Sequence, residues 1–254
     1  MTEIALLRIL RPIERSDLGC STRVDSPTFQ TKLALAKQKM EEFSGRKFYF
    51  LQEVEDPSHL YIIGEWDDLG RHLLEWLPSQ ENQSLLHLFK NDMKVEWMFH
   101  IDATHTEFAF ARHAAAVRRS KENLLGITRF FVKPGKKHEF NKEYDRCWDW
   151  MQHCVKEGKV GGGWRIDRDG DQEEFVLITP WKNLEQHEDT LYGGMVGEFS
   201  DFEELFSTEI TRHARVMILD NEASGEANEE EGEEVDKWTD VETDEDKDEV
   251  VDEE

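Results

Sequence analysis

The chain has 254 residues, enough for one or two domains, and a formal net charge of −25. A chain this acidic offers no broad basic face for phosphates, which argues against a nucleic-acid partner. The charge is uneven, because the segment from Asn221 onward carries 18 acidic residues against Lys237 and Lys247, leaving a net −9 on residues 1–220.

The first apolar run, Ile4 to Leu10, is short enough for a strand and is closed by Arg11-Pro12. Arg8, Arg11 and Pro12 also deny it the core of a secretion signal, and no run in the chain approaches a membrane span. Phe29, Leu33, Ala36, Met40 and Phe43 then recur at three- and four-residue spacing, the stripe of a helix lying on a sheet, with Gly45 as its stop. A hairpin follows, Phe48 to Val54 and Leu60 to Glu65, turning through Glu55-Asp56-Pro57-Ser58. After it come Trp66-x-x-Leu69-x-x-His72, a second helical region, and a strand from Val95 to Ile101.

Residues 104–122 are Ala-rich and end in Arg118, Arg119 and Lys121, as expected of a linking helix whose cations complement its dipole. The same order of elements then recurs. A strand from Leu124 to Val132 is closed by Lys133-Pro134. A helical stripe follows through Phe140, Tyr144, Cys147, Trp148, Met151 and Cys154, with Gly158 as its expected stop. Gly163 to Asp167 and Phe175 to Thr179 form the hairpin. Trp181-x-x-Leu184-x-x-His187 repeats the first motif at a constant offset of 115, and Ala214 to Leu219 is the closing strand. Cys147 and Cys154 stand about 10 Å apart along one helix face, too far for a disulfide. Three cysteines in all fit a reducing, cytoplasmic setting.

The expected fold is therefore α+β, with two ferredoxin-like β-α-β-β-α-β repeats at 1–103 and 123–220. One such unit leaves a sheet face bare, and two can cover each other's by closing into one intramolecular barrel, giving a monomer. The tail, 221–254, has too little apolar surface to offset its ordering entropy and is expected to be disordered. Val235 and Trp238 in it could serve as a short docking motif for a basic protein.

An apolar strand leading twice into Trp-x-x-Leu-x-x-His, in this order of elements, resembles the dimeric α/β-barrel superfamily. The nearest likeness is to its antibiotic-biosynthesis-monooxygenase-like (ABM) domains. The resemblance implies a small-molecule site between sheet and second helix. It draws attention to Trp66, Trp76, Trp181 and Tyr192 as substrate-binding residues, and to His72 and His187 as candidate bases. The implied chemistry is a cofactor-independent monooxygenation of an aromatic or polyketide-like substrate, in which the substrate supplies the electrons and the protein a dry pocket and a base.

Some members degrade haem, with a Trp in this helix and an axial His about ten residues on. Trp76 and His87 match that spacing, which makes haem bound through His87 an alternative. The Asn expected on the first strand for haem degradation is replaced by Arg8. A non-catalytic binding or scaffold module is the third reading. Asp167-Arg168-Asp169-Gly170-Asp171 lacks the Gly and Glu positions of a calcium loop and reads as a hairpin turn.

Overall fold

The computed structural model describes residues 1–10, 28–104, 108, 123–167, 170–194 and 200–219. The expectations for the tail and for the linking helix apart from Thr104 and Phe108 lie outside the described residues. The first half runs β1 (Thr2–Ile9), α1 (Phe29–Ser44), β2 (Phe48–Glu53) and β3 (His59–Glu65), then a π-helical turn (Arg71–Trp76), α2 (Gln80–Phe89) and β4 (Met93–Ile101). The second half runs β5 (Leu124–Val132), α3 (Lys137–Cys154), β6 (Gly161–Trp164), β7 (Glu173–Trp181), α4 (Leu184–Gly194), the short α5 (Ser200–Glu203) and β8 (Phe206–Val216).

All eight strands form one antiparallel sheet in the order β4-β1-β3-β2-β8-β5-β7-β6. The halves join twice. β2 pairs β8 from Leu51 opposite Val216 to Glu53 opposite Ala214. At the other seam Ile101 bridges Arg165, Asp102 N–H donates to Trp164 O (3.0 Å) and Ile166 N–H to His100 O (2.9 Å). These bonds tie the two ends of the sheet together and close it into a barrel.

Strand alternation sorts the core. Ile4, Leu51, Tyr61, Ile63, Leu125, Ile127, Val176 and Ile178 fill the lumen, while Ala5, Leu7, Phe50 and Ile62 point outward under α1 and α2. The stripe of α1 fulfils its expectation: Phe29, Leu33, Ala36 and Met40 are buried on that outer face. Fully burying a side chain such as Leu33 contributes about 2 kcal/mol. Thr28 caps the helix by accepting Thr31 N–H, and Gly45 ends it in the left-handed region (φ 71°). On the second half, Phe140, Cys147 and Met151 of α3 cover Phe130, Phe175 and Leu177.

Several boundaries differ from the sequence reading, three of them with a local cause. The stop of α3 is Val155, extended and bonded to Met151 O, so Gly158 lies beyond the helix. β6 begins at Gly161, where a Cβ on Gly162 would stand 2.6 Å from the Phe175 ring. β8 begins eight residues earlier than expected, because its polar first part pairs with β5 (Thr128 opposite Thr211, Phe130 opposite Glu209) rather than packing apolar side chains. Among the described residues no helix is long and apolar enough to cross a membrane.

Candidate functional site

A largely apolar cavity of about 320 Å³ lies in the first half between the outer sheet face and α1 and α2. Ala5, Ala36, Met40, Phe50 and Trp76 are among its walls, and Glu3 and His72 also border it. The π-helical turn explains how His72 and Trp76 reach this place. Asp68 Oδ1 accepts Arg71 N–H at its start, and Leu77 N–H reaches five residues back to His72 O (2.9 Å). A turn widened in this way is a local departure that recurs at functional sites. Ser79 then caps α2 by accepting Asn82 N–H.

Glu3 is the residue that sequence reading missed. On β1 it stands opposite Gly64 of β3 and His100 of β4, and it is buried. Trp66 Nε1–H donates to Glu3 Oε2 at 2.6 Å, and His72 Nε2 is 3.5 Å from the same oxygen. Burial raises the proton affinity of Glu3, only partly offset by the Trp66 donor, to a pKa of about 6. His72 is buried flat against Trp66, with ring centroids 4.4 Å apart and planes 10° apart. Burial and the neighbouring His100 push its pKa down to about 3, so its imidazole is neutral at physiological pH.

Behind the cavity the polar groups continue in a line. His72 Nδ1 is 2.6 Å from His100 Nε2, and His100 Nδ1 is 2.8 Å from Asp167 Oδ2. His100 N–H also donates to Asp167 Oδ1 (3.0 Å). Burial acts to raise Asp167, but these two bonds from His100 outweigh it and hold the carboxyl below its usual value. Asp167 lies just beyond β6, so the second half supplies the last member of the line.

The second half carries the counterpart. Trp181 packs against His187 (4.6 Å), His187 Nδ1 is 2.6 Å from His213 Nε2, and His213 Nδ1 is 2.5 Å from Glu55 Oε1 of the first half. Burial lowers His187 to a pKa of about 4. One member is absent. Where Glu3 faces Gly64 and His100, Gly126 faces Thr179 and His213, and the Trp181 indole donates to Thr179 Oγ1 (2.8 Å). A Cβ on Gly126 would meet Thr179 Oγ1 at 2.7 Å, so the hydroxyl occupies the space where a larger residue 126 would stand. This register aligns Leu6 with Arg129. Arg8 is exposed, whereas Arg129 bonds Glu174 and lies over the Trp97 ring (4.4 Å).

The sequence candidates thus separate. His72 and Trp76 meet at the cavity, and Trp66 lies behind His72. Trp181 and His187 form the second cluster. Tyr192 lies in α4, with its side chain outside the described residues. His87 is exposed on α2 and is not among the residues that line the cavity. Among the described residues His72 is the one imidazole that lines it, with one nitrogen bound to His100 and the other facing Glu3, so these cavity-lining residues do not fit an axial ligand set. Glu3, His72 and His100 place donor atoms within 4.8 Å of one another, as a metal site would. However, two imidazoles on one tetrahedral zinc stand about 3.3 Å apart, and 2.6 Å is the separation of a hydrogen bond.

No family model matches the sequence, and no curated protein does. Solved structures do match. A DyP-type peroxidase from Mycobacterium smegmatis aligns with TM-score 0.55 at 7% identity, over 88% of this chain and 94% of that one. A proposed monooxygenase from Fusobacterium nucleatum aligns with TM-score 0.53 at 11% identity, over 86% and 92%. An anthrone oxidase-like protein aligns with TM-score 0.51 at 11% identity, over 85% and 91%. The chain shares with these structures an α+β fold built on one large antiparallel sheet. At these identities the likeness is one of fold, and activity has to be argued from the site.

Proposed function

We propose that the protein is a small-molecule enzyme of the ABM type, with ABM-like units at 1–103 and 123–220 joined by 104–122 and followed by the acidic tail 221–254. Its working site is the cavity of the first unit. The observation that carries this reading is an apolar cavity closed at one end by a buried carboxyl with a pKa of about 6 beside a neutral imidazole. Such a cavity takes a flat apolar molecule and presents it with one proton acceptor near neutral pH. Near pH 7 Glu3 is mostly ionised and serves as the base, while Trp76, Met40 and Phe50 exclude water.

The reaction best suited to this equipment is oxygenation of an electron-rich aromatic, such as a phenol or an anthrone-like CH2 flanked by rings. Glu3 removes a proton and the ionised substrate gives its electrons to oxygen. For a CH2 centre one oxygen atom enters the product as a carbonyl, and the other leaves as water with the two hydrogens. The second unit, with Gly126 and Thr179 where the first has Glu3 and Gly64, is the structural partner. Oxygen uptake over a panel of anthrones and naphthols tests the reading. Uptake by the native chain that is lost in Glu3→Gln supports it, and no uptake on any of the panel sinks it.

A further inference from the structure

We infer that Asp167, a residue of the second half, is a positioning residue that sets which nitrogen of His72 carries its proton, and so what His72 presents to Glu3. The inference rests on the proposed role of Glu3, but its test can fail separately. Hydrogen-bond direction fixes the tautomers along this line. An ionised carboxylate only accepts. Asp167 Oδ1 accepts the backbone N–H of His100, and Oδ2 accepts from the ring, so His100 carries its proton on Nδ1. When that is the one proton on the ring, His100 Nε2 is a bare acceptor, and the 2.6 Å bond is made by a proton on His72 Nδ1. His72 Nε2 is left without a proton, 3.5 Å from Glu3 Oε2. Its bare lone pair opposes an ionised Glu3 and offers an acceptor to a protonated one. The chain Asp167–His100–His72 favours the protonated product of the proposed step, and it does so from the other half of the barrel.

The same construction occurs a second time in the opposite sense. Glu55, from the β2–β3 turn of the first half, accepts both the backbone N–H of His213 (3.0 and 3.1 Å) and its ring (2.5 Å), and His213 orients His187. Each half thus has its histidine pair oriented by a carboxylate of the other. That gives the pairing of halves a use beyond covering apolar strands.

Asp167→Asn is a sharp probe, because the His100 backbone fixes how the amide sits. Asn Oδ1 must accept His100 N–H, which turns the Asn NH2 toward His100 Nδ1. The ring must then accept there and carry its proton on Nε2, His72 Nδ1 becomes the acceptor, and His72 Nε2–H points at Glu3. Every bond in the line reverses. A donor aimed at a carboxylate lowers its pKa, so that of Glu3 falls by roughly one unit.

The experiment is NMR on the full chain with labelled histidine and glutamate, 15N at pH 8 for the tautomers and 13C as a function of pH for the Glu3 titration. In the native chain the inference predicts Nδ1–H on both His72 and His100. In Asp167→Asn it predicts Nε2–H on both and a lowered Glu3 titration, with His187 and His213 unchanged. In Glu55→Gln the His72 pair keeps its native tautomer. A native His72 carrying its proton on Nε2 overturns the inference without any variant. So does a folded Asp167→Asn chain in which His72 and Glu3 stay as they were. Tautomers as predicted together with no oxygen uptake would leave Asp167 in its place and remove the oxygenase reading.

Discussion

The buried carboxyl of Glu3 has a measurable thermodynamic signature. Its pKa rises from 4.5 in an open chain to about 6 in the fold, so the folded state holds the proton more tightly. The stabilisation from that proton is fully present below pH 4.5 and is lost as pH rises through about 6. A shift of about one and a half pH units corresponds to about 2 kcal/mol. His72 works in the opposite sense. Its lowered pKa, about 3, gives stability that is present above pH 6.5 and lost as pH falls toward 3. The two effects overlap, so the native profile alone does not isolate Glu3.

Glu3→Gln does isolate it, since the amide can still accept the Trp66 indole N–H and does not titrate. Denaturant unfolding of both chains from pH 4.5 to 7.5 should show the native chain losing about 2 kcal/mol relative to Glu3→Gln across that range. A pH-independent difference would refute the reasoning, as would one that grows in favour of the native chain.

Other consequences follow from the same geometry. Trp66→Phe removes the indole donor to Glu3 and should move its titration above about 6, read by carboxyl 13C shifts. Gly64→Ala places a Cβ 1.9 Å from the Phe48 ring under the site and should cost about 3 kcal/mol in denaturant unfolding; a near-neutral result would mean that the ring has room to move. Arg129→Ala leaves buried Glu174 with Arg165 alone and should destabilise by about 2 kcal/mol. Added zinc or cobalt should give no stoichiometric binding at Glu3, His72 and His100, and exhaustive chelation should leave stability unchanged. Tight binding of one equivalent would contradict the reading of the 2.6 Å contact as a hydrogen bond.

Much of the fold was legible because it rests on period and repetition. The stripe Phe29–Leu33–Ala36–Met40 and the strand-Trp-x-x-Leu-x-x-His motifs locate helices and strands without knowledge of their partners. The site was legible only in part. His72 and Trp76 share a helical face, which spacing reveals. Glu3 precedes the apolar run of β1 and reads as a solvated strand end, and only the register opposite His100 and Gly64 turns it inward. His100, His213, Asp167 and Glu55 are joined to the site by strand pairing and by the crossing of the two halves, which local patterns do not encode. A comparison of the two closing strands could have found the histidines, since both carry one. His87 was singled out by spacing alone, and spacing on a helix does not say which face is covered.

The most direct test of the account is whether the first-half cavity binds a flat aromatic molecule at all. Titration of the native chain and of Ala36→Phe with 1-naphthol, followed by tryptophan emission and calorimetry, asks this question. Ala36 lines the cavity, so a phenyl group there fills it from the α1 side. The account predicts one naphthol bound to the native chain, with quenching of emission from the Trp76 wall, and none bound to a folded Ala36→Phe chain. Equal binding to both chains, or no binding to the native one, would contradict it.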